Sequence, residues 1–203
     1  MKTKVSILGG SYNPITNGHI EVAKCALENT NNDEVWIMPC YGHLQKNNLI
    51  NCHVRFAMCL MATENLKHIK AHDYEIFNRL SGSVYELMLK LKNDEDYNNY
   101  EFSYIIGMDQ ANNFHTWREY EKLRNMTKFI IMPRQGFKPN TDWFNNKPHI
   151  YLDKHIMDVS STEIRERTRE WWKCNSGEGE IDNKIDSKVF SYIKKYAIYK
   201  EWK

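Results

Sequence analysis

Short apolar runs alternate with amphipathic stretches from the first residues onward: Val5 to Leu8, then Ile20 to Leu27, Val35 to Met38 and Val54 to Met61. The four-residue runs have strand length, and the longer stretches repeat their apolar positions at helical spacing. The alternation therefore predicts parallel strands joined by crossover helices. Further strands are expected at Ile69 to Tyr74, Phe102 to Ile106, Phe129 to Met132 and His149 to Leu152. Further helices are expected at Val84 to Lys92, Trp117 to Arg124, Thr162 to Trp172 and Lys188 to Tyr199. The fold class is an open, doubly wound α/β sheet with helices on both faces, and such sheets bind ligands beyond the carboxyl ends of their strands.

Asn93 to Tyr100 is acidic and Asn-rich, and Asn175 to Asn183 sets two glycines among acids, so both read as surface loops. Neither separates two domains. Residues 1–203 are expected to form a single domain with a helical segment from about residue 160. At 41% hydrophobic and 27% charged residues the chain is neither disordered nor built for a bilayer. Met1-Lys2-Thr3-Lys4 leads directly into Val5, without a signal-peptide core, which predicts a cytoplasmic protein and leaves the nucleus open.

Charge narrows the partners. Twenty-eight basic residues against 26 acidic ones leave +2, too little to attract a nucleic acid or a membrane in bulk, so any bound phosphate must be held locally. The five cysteines are odd in number and contain no C-x-x-C pair, which argues against a disulfide framework and a zinc site. Lys194-Lys195-Tyr196 mixes base and aromatic, but Val189, Phe190, Ile193 and Ala197 share one helical face and the segment reads as a solvated helix. A homo-oligomer is left open.

The chemistry concentrates after the first strand, in Gly9-Gly10-Ser11-Tyr12-Asn13-Pro14-Ile15-Thr16-Asn17-Gly18-His19. Adjacent glycines let backbone approach a ligand, and the following helix aims unpaired N–H groups at any phosphate lying there. The stretch carries neither G-x-x-x-x-G-K-[ST] nor G-x-G-x-x-G. His19 falls in the first helical turn, where the positive dipole end pushes its pKa down and a bound anion would reverse that effect. Read for structure alone, Thr16 or Asn17 is an N-cap and His19 an incidental polar residue.

Thr16-Asn17-Gly18-His19 resembles the [HT]-x-G-H signature of the nucleotidyltransferases. That superfamily joins a nucleoside triphosphate to a phosphorylated acceptor and expels pyrophosphate on a Rossmann-like fold. Near the other end, Asp158-Val159-Ser160-Ser161-Thr162-Glu163-Ile164-Arg165 places Ser160 and Glu163 as a capping box, three hydroxyls at a helix start and an Arg about one turn later. It is similar to the I-S-S-T-x-I-R motif of the nicotinate/nicotinamide mononucleotide adenylyltransferases, with Val159 for Ile. Gly107-Met108-Asp109 and the downstream Trp117 resemble that family's G-x-D and Trp.

The resemblance assigns ATP to Gly9, Gly10, Ser11, Lys46, Gly107, Asp109, Ser160, Ser161 and Thr162, with His19, Thr16 and Arg165 as the catalytic set. It assigns the acceptor to Tyr12, Trp117, Arg134 and the backbone near Val84 and Tyr85, where Ser83-Val84-Tyr85 departs from the usual S-Y-T. Arg55 matches a family Arg but reads as a salt-bridging helix residue. The implied reaction is transfer of AMP from ATP to nicotinate mononucleotide, with nicotinamide mononucleotide also open, in NAD biosynthesis. With no carboxylate cluster near the motifs, Mg²⁺ is expected to arrive on ATP. A phosphopantetheine adenylyltransferase shares Thr16 to His19 and stands as the alternative enzyme, and an ATP-binding sensor of the same fold as the non-enzyme alternative.

Overall fold

The computed structural model describes residues 1–43, 46, 48–154, 160–174 and 177–201. The chain opens with β1 (Thr3–Gly10), α1 (Asn17–Glu28), β2 (Glu34–Pro39), α2 (Cys52–Thr63) and β3 (Ile69–Ala71). It continues with α3 (Tyr74–Phe77), α4 (Val84–Asn93), β4 (Tyr100–Gly107), α5 (Met108–Asn112), α6 (Tyr120–Met126), β5 (Lys128–Met132) and β6 (Ile150–Tyr151). Three helices follow, α7 (Ser161–Cys174), α8 (Glu178–Asp182) and α9 (Ser187–Lys195). Among the described residues the strands form one parallel sheet in the order β3-β2-β1-β4-β5-β6, and no helix is long and apolar enough to cross a membrane.

The strands are apolar on both faces because both faces are covered. Val5, Ile7, Trp36, Met38, Tyr104, Ile106, Phe129 and Ile131 pack on one side with residues of α3 to α6. Leu8, Val35, Ile37, Ile105, Ile130 and Met132 pack on the other with α1, α2 and the C-terminal helices. Two serines interrupt the apolar pattern in the central strands. They are register partners, and Ser6 Oγ and Ser103 Oγ hydrogen-bond at 2.9 Å, so neither hydroxyl is buried without a partner.

Several elements differ from the pattern-based expectation. The third strand stops at Ala71, and Tyr74 opens α3 instead. The helix expected from Trp117 begins at Tyr120, after Glu119 at a φ of 51°. The last helix ends at Lys195, and Ala197 and Tyr199 take positive φ, so Ala197 leaves the apolar face and is exposed. Both stretches read as loops contain helical turns: Glu95–Tyr97 is a 3₁₀ turn that packs Tyr97 against Trp36, and α8 buries Ile181. Short amphipathic turns of three to five residues are too brief for periodicity to reveal.

The connection from β1 runs outward through β2 and β3, then returns to β4 on the other side of β1. The loops leaving β1 and β4 therefore diverge, and the crevice between them is the position where doubly wound sheets hold nucleotides.

Candidate active site

A cavity of about 920 Å³ lies beyond the carboxyl ends of β1, β4 and β5. Its wall includes Gly9, Gly10, Ser11, Tyr12, His19, Lys46, Gly107, Asp109, Arg134, Ser160, Ser161, Thr162 and Arg165. Residues separated by up to 156 positions in the chain thus face one space. Thr16, Val84, Tyr85 and Trp117 stand outside that wall.

The first corner is the β1–α1 loop. Thr16 is the N-cap of α1 and is buried, and both its backbone and its side chain serve His19: the backbone N–H donates to His19 Nδ1 at 3.0 Å, and Thr16 Oγ1 lies 2.7 Å from the same nitrogen. Nδ1 is therefore the acceptor, and the ring proton sits on Nε2. Burial, then the charges of Arg134 and Lys46, lower the His19 pKa from 6.5 to about 4, so the imidazole is neutral at pH 7. The expected downward shift is present, with burial as its largest cause. Thr16 acts here by orienting His19.

Gly9 and Gly10 have room for little else. A Cβ on Gly9 would sit 1.9 Å from the Tyr104 hydroxyl, and one on Gly10 3.0 Å from the Tyr12 ring. Tyr12 is itself buried, directs its hydroxyl to the Leu8 carbonyl at 2.5 Å and meets His19 edge-on at 5.0 Å. Its hydroxyl is thus engaged within the loop.

The second corner is the start of α7. Asp158 and Val159 lie outside the described residues. Ser160 Oγ accepts from the Thr162 N–H at 3.2 Å, Ser161 Oγ donates to the Pro14 carbonyl at 2.8 Å, and Thr162 Oγ1 accepts from Arg165 Nη2 at 3.0 Å. Arg165 Nη1 donates to the Asn13 carbonyl at 2.7 Å. The three hydroxyls therefore cap, tether and orient, and two of these bonds join α7 directly to the first loop. Glu163, expected as the box partner of Ser160, turns its carboxylate to Arg167 and Lys184.

Arg55 corrects the expectation of an ion pair. It is 1% exposed and donates to the carbonyls of Ser11, Cys40, Tyr41 and Ile50 at 2.7, 2.6, 3.2 and 3.1 Å. Its planar fork gathers the exits of β1 and β2 and the approach to α2 into one clamp. Cys40 lies under the same guanidinium, at 3.8 Å, and burial raises its thiol pKa, which argues for an unreactive thiol. The five cysteines carry free thiols.

The remaining walls carry most of the charge. Lys46 Nζ bonds Ser11 Oγ at 3.2 Å, and its pKa is lowered by burial and by Arg165 and Arg134. Asp109 pairs with Arg134 at 3.6 Å, and a Cβ on Gly107 would strike the Asp109 carboxylate at 2.5 Å. Lys46, Arg134 and Arg165 against the single carboxylate of Asp109 make a cavity suited to anions. Among the described residues, no three His, Cys, Asp or Glu side chains gather to hold a metal.

Val84, Tyr85 and Trp117 each pack, partly buried, against the core that holds Phe114. Trp117 stands 5.4 Å from the Phe114 ring, and Val84 and Tyr85 open α4, where the first backbone N–H groups have no helical partner. Pattern reading missed Asn13, whose side-chain Oδ1 accepts from the Tyr199 hydroxyl at 2.9 Å, along with His43, Asn48 and Gln110 in the wall. Asn13 had no signal, because its partners come from chain segments far away.

The cytidylyltransferase-like family model matches residues 7–167. A protein of Fusobacterium nucleatum named a probable nicotinate-nucleotide adenylyltransferase is 32% identical over 199 residues, covering 96% of this chain and 99% of its own length. A Clostridium tetani protein of the same name is 30% identical, over 97% and 99%. The solved nicotinic acid mononucleotide adenylyltransferase of Plasmodium falciparum, complexed with NaAD, superposes with a TM-score of 0.77 at 26% identity, over 100% of this chain and 99% of that one. Signature, crevice and relatives agree, and the chain belongs to the nicotinate-nucleotide adenylyltransferases within the cytidylyltransferase-like nucleotidyltransferase family.

Proposed function

We propose that the chain, acting as one nucleotidyltransferase domain, transfers AMP from ATP to nicotinate mononucleotide in NAD biosynthesis. The observation that carries this reading is the shared cavity: His19 and Arg165 come from opposite ends of the chain and face one anion-binding space. A 5′-phosphate oxygen of the acceptor attacks the α-phosphorus in line, a new P–O bond forms, and the bond to the β-phosphate oxygen breaks with its electron pair leaving on pyrophosphate. The nucleophile is already anionic, so no general base is needed, and catalysis rests on positioning and charge.

His19 Nε2–H is the donor for the α-phosphate, held in that tautomer by Thr16. Lys46 and Arg165 hold the polyphosphate, the α7 N-terminus adds backbone donors, and Arg134 meets the acceptor phosphate. Asp109 and Gly107 border the adenosine. Trp117 offers its face to the pyridine ring, and the open N–H groups of Val84 and Tyr85 suit its carboxylate. Mg²⁺ enters as part of MgATP, in keeping with a wall that offers one carboxylate.

The test is pyrophosphate release from ATP with nicotinate mononucleotide, nicotinamide mononucleotide and phosphopantetheine in parallel. The reading expects turnover with the first and little with the third. Release with phosphopantetheine alone, or ATP binding without release in any well, overturns it.

A further inference from the structure

A second cavity, of about 380 Å³, lies between α5, α6 and the segment leading to β6, and none of its lining residues belongs to the first. We propose that it is a binding site for a small planar aromatic carboxylate. The volume is that of a small-ligand pocket.

Two sides are aromatic. Trp143 stacks on Phe114 with centroids 4.3 Å apart and planes 20° off parallel, and Tyr120 meets Phe114 edge-on at 6.3 Å. The Trp143 Nε1–H donates to the Ala111 carbonyl at 3.0 Å, which fixes the indole. The third side is a braced loop: Asn112 Nδ2 donates to the Lys138 carbonyl at 2.9 Å, and Asn112 Oδ1 accepts from the Asn140 N–H at 3.1 Å. The walls are built without a ligand, so little ordering cost is left for binding.

Arg124 supplies the specificity. It lines the cavity, it is half-buried, and among the described residues it makes no ion pair or side-chain hydrogen bond. A guanidinium beside aromatic side chains takes a carboxylate bidentately while the ring of the same ligand packs against the aromatic wall of Tyr120 and Trp143. Asn140, Thr141 and His115 add polar groups at the rim. The site is a close neighbour of the first one, since Asp109 and Gln110 of α5 face the ATP cavity while Ala111 and Asn112 of the same helix face this one.

The experiment is calorimetric titration of the whole protein with 2-naphthoate, with neutral 2-naphthamide as control. A site with a Kd below about 1 mM is expected, and it should persist in Trp117→Ala, which removes the ring face assigned to the pyridine. Arg124→Leu should weaken it at least tenfold, the amide should bind the wild type at least tenfold less tightly, and Arg134→Ala, on the other cavity, should leave naphthoate binding within twofold. Asn140→Trp, on an exposed loop position, should fill the space and abolish binding if Arg124→Leu fails the folding check by circular dichroism. No saturation by 5 mM, equal affinity for acid and amide, or sensitivity to Arg134→Ala in place of Arg124→Leu or Asn140→Trp overturns the assignment.

Discussion

His19 illustrates how much one side chain can be made to do by its neighbours. In the first turn of α1 it completes a reciprocal cap with Thr16, and the same bonds fix the tautomer that presents a donor to the cavity. His19→Ala should lower kcat by about 10²–10³, the usual loss for one preorganised donor, at a stability cost of about 1 kcal/mol for the cap. Steady-state pyrophosphate release and urea denaturation check the two halves separately. The pH behaviour follows from charge. With its pKa near 4, His19 is neutral at pH 7, and a polyphosphate placed beside it raises that pKa. Binding then takes up a proton at His19, so the affinity ratio of wild type to His19→Ala for tripolyphosphate should rise as the pH falls toward 4. Imidazole resonances followed by NMR with and without tripolyphosphate should show the upward shift in the wild type.

At the scale of elements, the C-terminal helices are the far wall of the first loop. Ser161 holds Pro14, Arg165 and Tyr199 hold Asn13, and the Asn17 N–H at the start of α1 donates to the Lys184 carbonyl at 2.8 Å. Glu163 ties α7 to Lys184, so the two helical segments reach the loop as one body. Tyr199→Phe removes one buried hydroxyl bond and should cost about 1 kcal/mol. It should also raise the KM for ATP several-fold while kcat changes little, because the loop and not the reacting atoms is disturbed. An unchanged KM would detach the C-terminal segment from substrate binding.

At the scale of the whole molecule, one acid among the described residues is buried and unused by the reaction. Glu75 is 3% exposed, its Oε2 has no partner, and burial, followed by Glu86, raises its pKa from 4.5 to about 7 against the opposing pull of Arg55. The folded carboxyl keeps its proton where the unfolded one has lost it, so folding stability falls as the pH rises from 4.5 to 7. The loss is about 3 kcal/mol, from 1.36 kcal/mol per pKa unit. Urea unfolding between pH 4.5 and 8 should show this slope in the wild type relative to Glu75→Gln, which removes it. The depressed His19 pKa acts with the opposite sign, removing stability as the pH falls below 6.5, so the variant comparison is what isolates Glu75.

Strand runs, helical spacing, the Thr16 cap and the two motifs are local information: each depends on residues within a few positions, and so each could be read along the chain. The parallel α/β architecture followed from those runs, because strands apolar on both faces need helices on both sides. Folding alone decided which groups are spent and which are offered. Arg55 reads in the sequence as a salt-bridging helix residue and is a clamp on four carbonyls in the fold, and the hydroxyls of Ser161 and Thr162 turn inward to Pro14 and Arg165. Asn13 meets Arg165 and Tyr199 across 152 and 186 residues. Contacts of that separation leave no periodic trace in a sequence, since they arise only when the sheet order brings the ends of β1 and the C-terminal helices to the same edge of the crevice.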